Sequence, residues 1–397
     1  MQSLIRRALG KVRDIRNYMQ LPEAAKNEER KDRVGPALSD PGIDRVVETG
    51  VEWLQVAQDR SASHDGGVAR DYSLVDGWAV SYPETTGYIV PTMLAYARVS
   101  GDVRARDRAR RMLDWMVSIQ FPEGGFQGGT INDRPRVPVT FNTGQILIGL
   151  ASGVVEFGDA YREPMRRAAD WLVATQDSDG CWRRHCSPFA ALGEKVYETH
   201  VAWGLLEAAR LEPGKPYSEA ALANVRWALT HQRQNGWLAK CCLTDATQPL
   251  THTLGYAVRG FVETYRFAPS PELLSASRKT ADGLMMAQRE DGSLPGRLDA
   301  GWKPAVDWAC LTGIVQIAHS WLLLYQFTRE TRYRDAAYAA NRYVRRTIRV
   351  DGPEETRGAV KGSFPVNGGY GQYQFLNWAC KFSIDANLLE REVRASE

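Results

Sequence analysis

The sequence predicts an all-α protein, a single-domain (α/α)6 toroid in which six helical hairpins close into a ring. Three observations in its 397 residues predict this fold: helix ends recur at a regular interval, a glycine turn follows each, and amphipathic helices alternate with nearly uncharged ones. A self-similar period of this length indicates one supersecondary unit repeated. An open array would expose its two ends, so we expect a closed ring.

The recurring helix ends are segments such as LDWMVSIQ and ADWLVATQ that finish on glutamine. A glycine turn, such as SDGCW or QNGW, follows each glutamine, and we expect the pair to tie the end of each outer helix to the next loop. The later glutamines are 56 residues apart. The glutamines are Gln58, Gln120, Gln176, Gln232 and Gln288.

Two kinds of helix alternate between these ends. In the outer helix 104–120, Ala109, Met112 and Trp115 recur at helical spacing with Arg and Asp between them, which indicates one solvated face. The second helix of each unit, such as YETHVAWGLLEAARL, carries little charge and should be buried. A sixth outer helix has Ile348 in place of the glutamine. The inner helices are expected to begin near Tyr82, Phe141, Tyr197, Thr251, Asp307 and Tyr370.

The repeat predicts one toroid domain over 42–390, followed by a tail at 391–397. An amphipathic N-terminal helix is expected at 1–20, and the charged stretch 21–41 is expected to be a linker. The N-terminal stretch lacks the continuous apolar run of a secretory signal. We interpret it as an arm docked on the toroid, with peripheral contact to a membrane surface as the alternative.

Composition excludes several classes of protein. Hydrophobic residues at 44%, charged residues at 24% and a net charge of +3 are ordinary for a large globular core and give no reason to expect nucleic acid. The uncharged stretch 308–328 contains Gln316 and His319, which favour a core helix over an integral membrane segment. Six cysteines suit reduced thiols in a cytoplasm. CWRRHC beside His200 matches no strong zinc pattern, so neither metal nor cofactor is expected.

The long connections place the functional site. Outer-to-inner links such as 121–140 and 177–196 run to roughly twenty residues, a length that is usually functional in a compact domain, whereas inner-to-outer links are short. The inner helices begin on this same face, so their free N–H groups and positive dipole ends point into the mouth of the ring. We therefore expect an acidic ligand there.

Polar residues at the starts of the inner helices should converge on the ring axis. Carboxylates, histidines and tyrosines meeting in a concave cup are the groups that general acid and base catalysis uses. The structural alternative is that the acids are helix caps or dipole partners. The catalytic candidates are Glu84, Glu198, His200, His252 and Asp307. The substrate-binding candidates are Tyr82, Asn142, Trp182, Arg183, Tyr197, Trp302, Gln372 and Tyr373.

Two segments, YPETTGYIVPTML and GGYGQYQFLNWACKF, resemble those of proteins encoded with bacterial exopolysaccharide biosynthesis genes. Over about 42–390 the chain resembles the six-hairpin glycosidase-like superfamily. The resemblance implies a glycoside hydrolase or polysaccharide lyase acting on an acidic poly- or oligosaccharide, without implying any one catalytic set. The glycine turns also resemble the QW repeats of triterpene cyclases and of the protein prenyltransferase β subunit, but the sequence has no DxDD or DDxxD run.

The residues alone leave four hypotheses about the function open. In a hydrolase, Glu84 would share acid and base roles with Glu198 or Asp307. In a lyase or a sugar epimerase, His200, His252 or a tyrosine would move a proton on carbon. The third reading is a terpene cyclase or prenyltransferase-like toroid. The fourth is a non-catalytic glycan-binding scaffold, in which every rim residue is a cap.

Overall fold

The computed structural model describes residues 18–397 and shows the predicted ring of hairpins, each an outer helix followed by an inner one. The helix α1 (Glu23–Asp32) precedes the ring. The hairpins are α2 (Ile43–Asp59) with α3 (Pro83–Ser100), α4 (Val103–Ile119) with α5 (Thr140–Phe157), α6 (Arg162–Thr175) with α7 (Thr199–Leu211), α8 (Tyr217–Leu229) with α9 (Thr251–Phe267), α10 (Pro271–Met286) with α11 (Leu311–Thr328), and α12 (Thr331–Arg345) with α13 (Asn377–Ala395).

The inner helices form a closed inner layer. Each packs against the inner helix of the next hairpin, and α13 packs back against α3. One continuous cluster of buried apolar side chains runs through the ring, from Val46 in α2 to Val393 in α13. The predicted (α/α)6 toroid is therefore confirmed.

Short strands in the long loops join the first unit to the last. Strand β1 (Asp71–Ser73) pairs with β2 (Gly77–Trp78) and, on its other edge, with β5 (Gln374–Leu376), all antiparallel. Strand β3 (Ala309–Cys310) pairs with β4 (Ser363–Phe364). Because β1 lies before α3 and β5 lies before α13, their pairing closes the ring on the long-loop face.

The glutamines at the ends of the outer helices, which we call the ladder glutamines (Gln58, Gln120, Gln176, Gln232 and Gln288), tie successive outer helices together. Gln176 Nε2 donates to the carbonyl of Gly180 in the following turn at 3.0 Å and to the carbonyl of Ala220 in α8 at 2.9 Å. Gln120 and Gln288 make the equivalent pair of bonds. The expected tie to the next loop is confirmed, and it extends to the next outer helix.

The unit without a ladder glutamine closes the ring by a backbone contact. Gly358 has φ +78°, and a Cβ placed there would lie 2.1 Å from the carbonyl oxygen of Thr49 in α2. Gly236 and Gly292 make the same approach to α10 and α12. A glycine turn thus packs on the next outer helix even where Ile348 replaces the glutamine.

Two inner helices begin later than expected. The fifth begins at Leu311 rather than near Asp307, and the sixth at Asn377 rather than near Tyr370. In both places the preceding residues are extended, because they pair as β3 and β5. Edge pairing of two or three residues is too short to leave a periodic pattern in the sequence.

The segment expected to be a linker, 21–41, instead contains α1. Two acidic residues of α1 form ion pairs with a buried lysine: Lys361 Nζ donates to Glu28 at 3.0 Å and to Asp32 at 2.5 Å. A local pattern of charge cannot reveal a partner that lies hundreds of residues away. Most of the helix expected at 1–20 lies outside the described residues.

Among residues 18–397, no helix combines the length and apolarity needed to cross a bilayer. Most of the uncharged stretch at 308–328 forms α11, which packs between its neighbouring inner helices as expected for a core helix.

We expect Gly236→Ala to lower the free energy of unfolding by about 2 to 4 kcal/mol, because φ is +82° and a Cβ would lie 2.2 Å from the carbonyl oxygen of Lys279. Gly214→Ala is the control, since nothing lies within 4 Å of a Cβ there. Urea denaturation measures both, and equal stabilities would contradict the packing described for the turn.

Candidate active site

A cavity of about 510 Å³ lies where the inner helices begin, and we call it the cup. Its wall combines aromatic rings with a few polar groups, the composition typical of a small-molecule site. The aromatic residues are Tyr82, Tyr88, Phe141, Phe189, Tyr197, Tyr256, Tyr370 and Trp378. The ionisable residues apart from the tyrosines are Arg70, Glu84, Asp133 and His252, and Asn142 adds an amide.

Glu84, the second residue of α3, is the buried carboxyl group of the cup. Its Oε2 accepts hydrogen bonds from Tyr82 Oη at 3.1 Å and from Asn142 Nδ2 at 3.2 Å. No side chain caps the start of α3, so Glu84 is not serving as a cap. Burial raises the pKa of Glu84 to about 7, although Tyr82 and Arg70 oppose the shift. Near neutral pH the group can therefore give up a proton.

His252, the second residue of α9, contributes an imidazole to the same cavity. Its Nδ1 lies 2.8 Å from Oε1 of Gln316 in α11. Burial lowers the pKa of His252 to about 4, although the bond to Gln316 acts in the opposite direction. The ring is neutral at physiological pH and stacks near Tyr256 and Tyr370, at centroid distances of 4.5 and 5.3 Å.

Arg70 brings a positive charge to the cup from the loop before β1. One of its nitrogens donates to Asp71 at 2.6 Å, and its guanidinium carbon lies 5.3 Å from the ring centroid of Trp378. Trp378 is held in turn, because its Nε1 donates to Tyr370 Oη at 2.9 Å. A half-exposed guanidinium fixed on one side is suited to bind an anionic group on the other.

A second carboxylate, Asp133, stands at the mouth of the cup. It belongs to the long loop between α4 and α5, is half-buried, and accepts the backbone N–H of Thr130 at 2.6 Å. The two carboxyl groups of the cup thus differ in environment: Glu84 is enclosed by helices, and Asp133 is on a loop open to solvent.

Two of the predicted catalytic residues lie behind the wall of the cup. Glu198 is 2% exposed, and burial raises its pKa to about 8 although Lys195 opposes the shift. His200 Nδ1 bonds to Gln145 Oε1 at 2.6 Å, and the ring contacts Tyr256 from outside the cup. Neither residue lines the cavity. The prediction that they converge with Glu84 is wrong, because the 3-10 turn Val196–Glu198 precedes α7 and brings Tyr197 to the cup in their place.

The predicted rim residues from the last two units are also displaced. Asp307 is exposed and lies outside the helix, and its carbonyl accepts a hydrogen bond from Arg289. Gln372 is exposed, and Tyr373 donates to Glu29 of α1 at 2.7 Å. None of these three residues lines the cup.

The remaining candidates that lie away from the cup make structural contacts elsewhere in the ring. Arg183 forms a surface cluster with Asp177, Asp179 and Glu194 at 2.6 to 3.0 Å. Trp182 is 1% exposed and donates to the carbonyl of Leu172.

Trp302 is likewise buried and stacks edge-on against Trp237 at 5.2 Å. None of Trp182, Arg183 and Trp302 lines the cup. Of the binding candidates, the structure brings Tyr82, Asn142 and Tyr197 to the cavity.

Several residues of the cup were not predicted. Tyr88 and Tyr256 each follow a predicted residue, Glu84 and His252, by four positions, and that spacing places them on the same helix face. They could have been found this way. Tyr88 Oη and Tyr256 Oη meet at 3.3 Å across the ring. Arg70 and Asp133 had no such signal, because loop residues follow no helical period.

Within residues 18–397, no group of three or more His, Cys, Asp or Glu side chains is arranged to hold a metal ion. The six cysteines are all unpaired, and five of them are buried. The groups of the cup that can exchange a proton are Glu84, His252, Asp133 and the tyrosines.

The ring of hairpins with a polar cup defines the class of (α/α)6 toroids. Within it, the sequence profile of the Squalene-hopene cyclase C-terminal domain matches residues 47–265, more than half of the chain, and the chain belongs to this family. A curated relative, squalene–hopene cyclase of Bradyrhizobium diazoefficiens, is 25% identical over 213 residues, which are 49% of this chain and 30% of the relative. The chain thus matches less than a third of that relative's length.

Solved structures share the whole ring. An unsaturated glucuronyl hydrolase specific for heparin superposes with a TM-score of 0.73 at 15% identity, covering 90% of this chain and 99% of that one. The unsaturated glucuronyl hydrolase of Bacillus sp. GL1 gives 0.67 at 16% identity, covering 88% and 96%. A D-mannose isomerase gives 0.69 at 12%, covering 88% and 97%. At these identities the similarity establishes the fold.

We expect Glu84→Gln to change stability in a pH-dependent way. The folded pKa of about 7 exceeds the unfolded value, so the stability linked to Glu84 is present at low pH and is lost as pH rises to 7. Relative to wild type, the variant should therefore gain about 2 to 3 kcal/mol between pH 4 and pH 8. Urea titrations at both pH values measure the gain, with the exposed Glu123→Gln as the control. A pH-independent difference would contradict the burial of a proton on Glu84.

Proposed function

We propose that the chain is a glycoside hydrolase acting on an acidic poly- or oligosaccharide, with the cup as its active site. The observation that carries this proposal is Glu84, a carboxyl group in the wall of an aromatic cavity whose burial raises its pKa to about 7, so that a large fraction is protonated near neutral pH. A raised pKa on an enclosed carboxyl group is the usual property of the general acid in glycoside hydrolysis.

In this mechanism Glu84 donates its proton to the glycosidic oxygen as the bond from that oxygen to the anomeric carbon breaks. A water molecule attacks the carbon and gives its proton to His252, whose imidazole is neutral. The proton acquired by His252 then returns to Glu84 through solvent, so the enzyme is regenerated. Asp133, the other carboxylate of the cup, is the competing candidate for the base, and Asp133→Asn separates the two.

The acidic part of the substrate is assigned to Arg70. Its guanidinium is fixed between Asp71 and Trp378, and the inner helices add their positive dipole ends on the same face. Tyr82, Tyr197 and Trp378 offer ring faces or edges on which a sugar can stack. The similar structures support this choice of substrate, since they include unsaturated glucuronyl hydrolases, one of them specific for heparin.

The proposal extends to a place in bacterial exopolysaccharide metabolism, with the enzyme in the cytoplasm. The support is the sequence resemblance of its first and last inner helices, together with six unpaired cysteines that suit a reducing compartment. On this proposal the N-terminal stretch 1–20 is a docked arm, and peripheral membrane contact is its alternative role.

A second candidate, an isoprenoid cyclase, is favoured by the family match and by the cavity itself. A protonated carboxyl group surrounded by aromatic rings can start a carbocation and stabilise it. The absence of a DxDD or DDxxD run from the sequence argues against this function. Conversion of a linear polyprenyl substrate to cyclic products, lost in Glu84→Gln, would establish it instead of glycan hydrolysis.

We expect wild type to release reducing ends from a panel of uronate-containing oligosaccharides, and Glu84→Gln to lower kcat at least about 100-fold because the proton donor is lost. Turnover should fall above about pH 7, where Glu84 ionises, and below about pH 4, where His252 is protonated.

Glu198→Gln is the matched control, since it alters another buried carboxyl group outside the cup. Equal activity in wild type and Glu84→Gln would overturn the assignment of Glu84. Binding without turnover in wild type would indicate the glycan-binding scaffold, and an ultraviolet-absorbing unsaturated product would indicate a lyase.

We expect Arg70→Gln to raise KM for an acidic oligosaccharide about 10- to 100-fold, because a charge-assisted contact is removed. Arg70→Lys should recover part of the loss, and KM for a neutral analogue should stay unchanged. Steady-state kinetics on the two substrates measure the effect. An equal rise for both would show that Arg70 supports the fold of the cup and not recognition of the acid.

A further inference from the structure

Two histidine–glutamine pairs repeat around the axis of the ring. His252 of α9 pairs with Gln316 of α11, with Nδ1 and Oε1 2.8 Å apart. His200 of α7 pairs with Gln145 of α5 in the same way, at 2.6 Å. The ring of Tyr256 lies between the two imidazoles, with centroids 4.5 Å from His252 and 4.7 Å from His200.

Only one of the two imidazoles opens into the cup. His252 lines the cavity, whereas His200 is 1% exposed and its Nε2 is buried with no hydrogen-bond partner among residues 18–397. The same pairing therefore occurs once at the proposed active site and once in the core. The pair of His200 and Gln145 can therefore serve as a control for the pair of His252 and Gln316 within the same protein.

Gln316 is held in place to make this contact. It is 4% exposed in the middle of the inner layer, and Gly255 leaves the space its side chain occupies, since a Cβ at Gly255 would lie 2.9 Å from Gln316 Oε1. A carbonyl oxygen can only accept a hydrogen bond, so the proton of the neutral imidazole must be on Nδ1. The Nε2 atom of His252 is then an unprotonated acceptor.

We propose that Gln316 is a positioning residue: its amide oxygen holds the proton of His252 on Nδ1, so that Nε2 is available as the base in the cup. The assignment of His252 as the base rests on the proposed function, whereas the assignment of its tautomer does not. Gln316 touches neither substrate nor solvent in the cup and acts only through His252.

Among residues 18–397, the hydrogen-bond partner of the His252 ring is Gln316. Other groups face the ring without such a bond. Tyr256 lies on the same helix, Tyr370 on the last long loop, and Cys310 just before α11. The charged or acidic groups lining the same cavity are Arg70, Glu84 and Asp133.

The test is nitrogen-15 NMR of the histidine rings in the full chain, which reads the tautomer without any substrate. In wild type we expect His252, identified by loss of its signal in His252→Asn, to show the Nδ1–H form from pH 8 down to about pH 5. Gln316→Leu should give a mixture of tautomers. Gln316→Glu should keep the Nδ1–H form and raise the pKa of His252, because a carboxylate stabilises the imidazolium.

Turnover gives the second readout. Gln316→Leu should lower kcat about 10- to 100-fold with little change in KM, the range typical for groups that orient a catalytic histidine. At high pH, Gln316→Glu should have a kcat near that of wild type. As the pH is lowered, its kcat should begin to fall at a higher pH than the kcat of wild type does. Gln145→Leu should alter the tautomer of His200 and leave kcat unchanged.

An Nε2–H signal for His252 in wild type would overturn the proposal, since the amide nitrogen of Gln316 would then face the ring. An unchanged tautomer in Gln316→Leu would overturn it as well. If no substrate is turned over but the tautomer responds as expected, the positioning stands and the hydrolase assignment fails.

Discussion

The structure depends on the bond between a ladder glutamine and the backbone of the next outer helix. One amide nitrogen reaches both the glycine turn of its own unit and a carbonyl of the following helix, as Gln176 does at 3.0 and 2.9 Å. Buried backbone carbonyls need a donor, so each bond satisfies a group that would otherwise be costly to bury. Its repetition at Gln120, Gln176 and Gln288 fixes how successive outer helices pack, and the inner helices all begin on the long-loop face. The cup is where those starts meet.

The chemistry of the cup follows from the removal of water. Burial disfavours charge, so it raises the pKa of the acid and lowers that of the imidazole, and the two groups end in the reverse of their usual order, with Glu84 near 7 and His252 near 4. Between these values nearly every molecule carries a protonated acid and an unprotonated base. Ordinarily the pKa of a carboxylic acid is lower than that of an imidazole. In that case only a small fraction of molecules would carry a protonated acid together with an unprotonated base at any pH. Enclosure by aromatic rings thus prepares both partners at once.

The sequence predicted the frame of the protein better than its site. Periodicity reports which face of a helix is buried, and it identified the hairpins, the long-loop face and the tie made by residues such as Gln120. It also located Glu84, Tyr197 and His252. Each is the second residue of the first helical turn of its unit's inner helix, which before α7 is the 3-10 turn Val196–Glu198. It failed for Glu198 and Asp307, where a short 3-10 turn or strand shifts the helix start by a few residues. Such shifts come from pairing with distant segments and leave no local pattern.

The contact between Arg70 and Trp378 joins residues from the first and last units of the ring, 5.3 Å apart. Strands β1 and β5 meet beside them. The wall of the cup is therefore shared between segments that emerge from the ribosome far apart in time, and the cavity is incomplete until α13 has been made. During synthesis Glu84 and His252 are therefore present before the wall around them is complete. The cup is finished only when the ring closes.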